Sequence, residues 1–379
     1  MHTETYRRIP GWETLPLSTW QDWHWQMANR VTDVDHLADL LGLDPAQRTG
    51  ALGATRALKM ALSPYLVDRL RHAPEPDRTI LARQFVPQGA EVDSAAHPGL
   101  FEAVNAEDAY SPVPGLIHRY PTKVLLFPAN FCAATCRYCF RRAMDRTQDQ
   151  ALGAADLEAA LAYIAANPGI DEVILSGGDP LVLGEGRIEA LLTRLAAIPH
   201  VTLVRFHTRM PVVLPFRITP ALVAVLAAFK ERLAPHVVIH VDSAVELTPE
   251  ARRAIAALVD NGIPCLGACP LLKGINDTAE SLGTLWSRLV RLRVKPYYLY
   301  HPDLVSGLRH FLVPLDEGVA LVRSLYDRVS GLAMPLYCLD TAEGGGHVLV
   351  GPSYVEKVAD GVFRVTNFEG ESFTYHEAV

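Results

Sequence analysis

Cys132, Cys136 and Cys139 fall in the run Phe-Cys-Ala-Ala-Thr-Cys-Arg-Tyr-Cys-Phe at residues 131–140, with CxxxCxxC spacing. Three thiolates on one tight loop can hold three corners of a 4Fe-4S cluster and leave the fourth iron without a protein ligand. Such clusters ordinarily take four cysteines, so an open iron implies another ligand and chemistry at the cluster itself. The competing readings are a zinc site and three unconnected thiols. Zinc would want a fourth Cys or His close by. His118 is near in sequence, but it precedes the apolar stretch leading into the loop and so belongs at the opposite end of that strand.

A second chemical run is Ser176-Gly177-Gly178-Asp179-Pro180. Two glycines let backbone approach a ligand closely, and an acid can pair with an amine. Gly-Gly-Asp is common in such loops and gains its weight from the cysteine loop one unit earlier.

The elements that must position these runs alternate. Strands are expected at Lys123–Phe127, Glu172–Ser176, Thr202–Phe206, His236–Val241, Pro264–Ala268 and Lys295–Tyr300, each followed by a helical pattern. Six βα units imply a parallel sheet covered by helices, too few for a closed eight-unit barrel. The expected class is α/β, a partial (β/α)6 barrel over 116–340, with chemistry at the C-terminal strand ends. An N-terminal helical region and an irregular linker would fill 1–115, and a short C-terminal segment 341–379. Trp20, Trp23 and Trp25 read as packing residues.

Bulk properties set further limits. The 379 residues are 49% hydrophobic and 20% charged, with a net charge of −7, which argues against a nucleic-acid footprint. No signal-peptide pattern opens the chain and no apolar run is long enough to span a membrane. Six cysteines are too few for a disulfide scaffold. The expected compartment is the reducing cytoplasm, where cysteines tend toward metal binding or catalysis.

The cysteine loop with Gly-Gly-Asp after the next strand resembles the radical S-adenosylmethionine enzymes. Further stretches resemble the lysine 2,3-aminomutase family in particular: Trp20–Gln26, Ser111–Pro121, Pro211–Thr219, Leu271–Asp277, Lys295–Tyr300 and Asn367–Gly370. The resemblance implies S-adenosylmethionine at the open iron, with Ser176, Gly177, Gly178, Asp179 and His240 at that ligand. It implies that Arg141 holds the substrate carboxylate and that Asp303 and Asp340 hold a distal amine. It also implies a small amino acid as substrate, an external electron donor, a homo-oligomer, and Arg119 and Lys123 near a pyridoxal phosphate.

The chain breaks that pattern where the pyridoxal-phosphate lysine is expected. Seven residues after Asp340 stands His347, and imidazole cannot form the imine. Of the six lysines, only Lys273 falls on a suitable loop. Asp242-Ser243-Ala244 replaces Asn-His-Pro, and Gly267-Ala268-Cys269 replaces Asn-Gln-Ser. Cys269 is therefore a candidate hydrogen donor, with a small buried thiol as the equal alternative; Cys265 and Cys338 read as core. Three functions stay open: hydrogen abstraction from a basic amino acid without pyridoxal phosphate, a true 2,3-aminomutase, and a non-catalytic iron–sulfur protein.

Overall fold

The computed structural model describes residues 4–93, 109–142, 149–341, 346–367 and 369–377. Its centre is a nine-stranded sheet in sequential order: β1 Leu116–Tyr120, β2 Lys123–Ala129, β3 Glu172–Gly177, β4 Leu203–Thr208, β5 His236–His240, β6 Cys265–Pro270, β7 Lys295–Tyr300, β8 Leu336–Thr341 and β9 Gly346–Leu349. Strands β2 to β8 run parallel. The edge strands β1 and β9 are antiparallel to their neighbours. The edges approach each other, because His347 N donates to Tyr120 Oη at 3.0 Å. The expected partial barrel is thus present, with one parallel strand more than the sequence pattern offered. A separate three-stranded sheet, Val355–Ala359, Val362–Thr366 and Ser372–His376, follows it.

The covering helices start where the sequence supplies caps. Thr219 caps the helix Pro220–Ala228 and Thr248 caps Pro249–Asp260, each accepting a backbone N–H in the first turn, with proline at a position that needs no donor. Parallel strands buried on both faces read as apolar runs, which is why Val173–Leu175 and Val237–Ile239 are nearly inaccessible.

Residues 73–115 are not wholly irregular. A helix, Asp77–Phe85, buries Leu81, Gln84 and Phe85. Its Gln84 carbonyl accepts from Arg137 N at 2.8 Å, and Ala61 O accepts from Thr135 N at 2.8 Å. Arg30 Nη1 donates to Cys132 O at 2.8 Å. The N-terminal helices therefore clamp the cysteine loop. Among the tryptophans, Trp20 stacks on Tyr6 at 4.3 Å and Trp23 lies under Arg217, as packing residues should. His118 reaches Tyr163 at 2.9 Å and takes no part near the cysteines.

The firmest part of the clamp is ionic. Glu91 accepts from Arg137 at 2.8 Å and from Arg142 at 3.0 Å, all three buried. Arg137 Nη2 also holds Leu58 O at 3.0 Å. Removing one member of a buried ion pair leaves an uncompensated charge, which costs about 3–5 kcal/mol. Glu91→Ala should lose about that much stability in denaturant unfolding; a loss under about 1 kcal/mol would show that the clamp is not held by charge.

Candidate active site

The cysteine loop leaves β2 and carries three partly exposed cysteines, none of them in a disulfide. Among the described residues, no three His, Cys, Asp or Glu side chains converge where one metal ion would sit. Zinc requires such convergence. A cube of iron and sulfur spreads its thiolates over different irons, so the loop fits a cluster better than a single ion.

Gly177 and Gly178 serve that loop directly. Gly178 N donates to Ala129 O at 2.8 Å and Asp179 N to Phe131 O at 3.0 Å. A Cβ on Gly178 would lie 2.4 Å from Phe131 O, and one on Gly177, at φ +91°, would lie 2.7 Å from Phe127 Cβ. The glycines permit contact between two loops, where the sequence suggested contact with a ligand. Asp179 also differs from expectation. Its carboxylate accepts from Thr208 Oγ1 at 2.8 Å, Arg209 N at 2.8 Å and Leu181 N at 3.0 Å, so it ties β3 to β4 from inside. Burial pushes its carboxyl up, opposed by those donors.

The barrel lumen gathers most of the remaining candidates. Arg141 lies over Phe127 and Phe140 at 4.8 and 4.4 Å, with Nη1 3.5 Å from Ser176 Oγ. His240 ends β5, stacked toward Tyr300 at 6.4 Å and 6.3 Å from His207. Burial lowers His240 to about 4 and His207 well below the usual imidazole value, so both rings are neutral at pH 7. Asp303 follows β7. Asp340 on β8 faces Arg119 Nη1 at 3.7 Å and His347 Nε2 at 3.6 Å.

His347 pairs directly across from Asp340 in the β8–β9 ladder. Its ring lies among Tyr120, Tyr298 and Tyr300, with centroids 5.7 to 6.1 Å away. Burial draws this imidazole down while Asp340 draws it up, and the net shift is downward. It supplies no primary amine, and Lys273 is exposed on the loop after β6. The residues here do not fit an imine-bound pyridoxal phosphate.

One cysteine expectation needs correction and another gains a neighbour. Cys269 does not face the lumen. It shares its side of β6 with Gly267, whose Cβ would strike Leu289 of a covering helix, and its thiol interacts with Trp286. Cys338 is buried in the core as expected, but on the side of β8 that meets His347, apart from the apolar clusters that contain Cys265 and Cys269. Its Sγ is 3.9 Å from His347 Nδ1. Burial, with Asp340 and Asp303 nearby, pushes its thiol up to about 12.

Sequence reasoning overlooked Arg209. Its Nη1 donates to Cys136 Sγ at 2.8 Å, and its Nη2 meets Glu246 at 2.6 Å and Asp242 at 2.9 Å. The available signal was position alone, since Arg209 directly follows β4 at the active end of the barrel.

Comparison with known proteins agrees with this geometry. A family profile described as the Radical SAM superfamily matches residues 126–282. L-lysine 2,3-aminomutase from Clostridium subterminale is 35% identical over 98% of this chain and 88% of its own length. L-lysine 2,3-aminomutase from Fusobacterium nucleatum is 37% identical over 94% of this chain and 83% of its own. Glutamate 2,3-aminomutase from Clostridioides difficile is 29% identical over 93% and 82%. With the cysteine loop, the partial barrel and these relatives together, the chain belongs to the lysine 2,3-aminomutase family of the radical SAM superfamily, and is an enzyme whose cofactors are a 4Fe-4S cluster and S-adenosylmethionine.

Proposed function

We propose that this enzyme removes a hydrogen atom from a free amino acid with a cationic side chain, lysine-like, without pyridoxal phosphate. The observation that carries this reading is His347, an imidazole packed among three tyrosines where the family pattern expects the imine-forming lysine. Cys132, Cys136 and Cys139 would hold the cluster. When bound, the reduced cluster and S-adenosylmethionine supply a carbon-centred radical that takes a hydrogen atom from the substrate.

The protein's part is to orient and shield. Arg141 suits a carboxylate because its planar fork can bind both oxygens. Asp303 and Asp340 suit a distal ammonium, whereas a second carboxylate would meet two like charges there. Neutral His207 and His240 add polarity to the lumen without repelling a cation. Among the described residues, no helix is long and apolar enough to cross a membrane, in keeping with a small-molecule substrate met in water.

Nitrogen migration between adjacent carbons needs the imine, so the substrate radical requires another ending. We assign that role to Cys338, whose Sγ lies 3.9 Å from His347 Nδ1. Transfer of its hydrogen to the substrate carbon breaks the S–H bond and leaves the unpaired electron on sulfur. One electron from the low-potential donor that also reduces the cluster, with one proton, restores the thiol. The product is the same amino acid with one carbon-bound hydrogen replaced by one from the thiol.

Three measurements test this. Wild-type protein mixed with pyridoxal phosphate should show no imine absorbance and no pyridoxyl adduct after borohydride, whereas His347→Lys should gain one. An adduct on wild-type Lys273 would favour the aminomutase reading. Asp303→Ala should weaken L-lysine binding by roughly 30-fold, about 2 kcal/mol of lost charge pairing; unchanged binding would refute the clamp. In deuterated water, recovered lysine should carry one solvent deuterium on carbon. Cys338→Ala should abolish that label while 5′-deoxyadenosine still forms, and a persistent label would remove Cys338 from the mechanism.

A further inference from the structure

Arg209 presents a single buried cation to both a cluster cysteine and two carboxylates. Its guanidinium is 7% exposed and stacks on Phe85 at 4.4 Å. Nη1 donates to Cys136 Sγ at 2.8 Å, and Tyr138 Oη bridges the same guanidinium to Asp242. Glu246 is fixed in turn by the N–H groups of Asp242 and Ser243, at 2.8 and 2.9 Å. The backbone is fixed too, since Arg209 N donates to Asp179 at 2.8 Å. The guanidinium therefore has little freedom to leave the sulfur. Asp242 is also one of the positions at which this chain departs from the family pattern.

We infer that Arg209 and Asp242 are a positioning pair that sets the reduction potential of the cluster through Cys136. Reduction adds one negative charge to the cluster. An N–H···S bond from a cation stabilises that added charge and raises the potential, because hydrogen bonds to sulfur and local net charge are principal controls on it. A carboxylate on the same guanidinium withdraws part of that stabilisation and lowers the potential. The two residues act in opposite directions on one sulfur, and the balance between them fixes how strong a donor must be to start the reaction. This inference holds whichever amino acid is the substrate, because it concerns the cluster before any substrate binds.

The test is an electron paramagnetic resonance titration of the anaerobically reconstituted full-length protein at pH 8, with neither S-adenosylmethionine nor amino acid added. Iron content and thermal melting are recorded for each variant. Arg209→Gln should lower the ratio of reduced to oxidised cluster at the wild-type midpoint about tenfold, about 59 mV for one electron. Arg209→Lys keeps the charge but loses the fork, and should recover part of that shift. Asp242→Asn should move the midpoint the other way. A structural role alone would loosen the loop in both variants without opposite shifts. Midpoints equal to wild type in both, or displaced in the same direction, overturn the inference. If Arg209→Gln fails to retain iron, Asp242→Asn decides alone, and a midpoint at or below wild type overturns it.

Discussion

Nothing larger than hydrogen fits on the Cα of Gly178, where a Cβ would lie 2.4 and 2.5 Å from the backbone oxygen and nitrogen of Phe131. That contact joins the loop after β3 to the loop that carries the cysteines. Two backbone hydrogen bonds close the joint, from Gly178 N and Asp179 N. Asp179 then turns its carboxylate inward to Thr208 and Arg209 N, fixing the end of β4. With its backbone fixed there, Arg209 delivers its guanidinium to Cys136. Three successive strand ends are thus registered against one another through a single close approach, and the positions of the thiols follow from it.

From the other side, the N-terminal helices supply the remaining restraint. The Glu91 carboxylate between Arg137 and Arg142 places two like charges close together only because the acid separates them. Burial draws Arg142 down while Glu91 draws it up. A buried network of this kind is costly when incomplete and rigid when complete. The loop is therefore held by backbone pairing on its barrel face and by charge on its helical face. Three partly exposed thiols can stay oriented this way without a fourth protein ligand.

Much of this was legible in the chain, and the reasons differ by element. Strands such as β3 and β5 announced themselves because both faces are buried, giving uninterrupted Val, Ile and Leu runs. Strand β8 was hidden because its apolar run is short and ends at Asp340. Strand β1 was hidden by the proline-rich approach at 111–114 and by His118 and Arg119. The helix Asp77–Phe85 was hidden by a composition dominated by charged and polar side chains. Within the site, the cysteine spacing was fully readable because local sequence fixes it. The direction of Cys269 was not, since it depends on which face of β6 meets the helix bearing Trp286 and Leu289. Arg209 escaped notice because a lone arginine after a strand has no local signature; its role arises from residues 33 to 125 positions away.

The exchange of amine for imidazole at position 347 bears on the barrel seam as well as on cofactor chemistry. Among the described residues, strands β1 and β9 form no ladder with each other; Tyr120 with His347 links these two strands, and Arg119 with Asp340 links β1 to β8. A lysine would bring a second cation to that gap on a long, flexible stem. A short flat ring whose charge is disfavoured by burial can instead stack among Tyr120, Tyr298 and Tyr300. Arg119 then becomes the principal cation facing Asp340, so that acid enters the lumen already partly compensated. Asp340 therefore meets two groups across the seam, Arg119 at 3.7 Å and His347 at 3.6 Å. The side chain at position 347 thus bears on the seam and on the surroundings of Asp340 together, through a single residue on the last strand of the barrel.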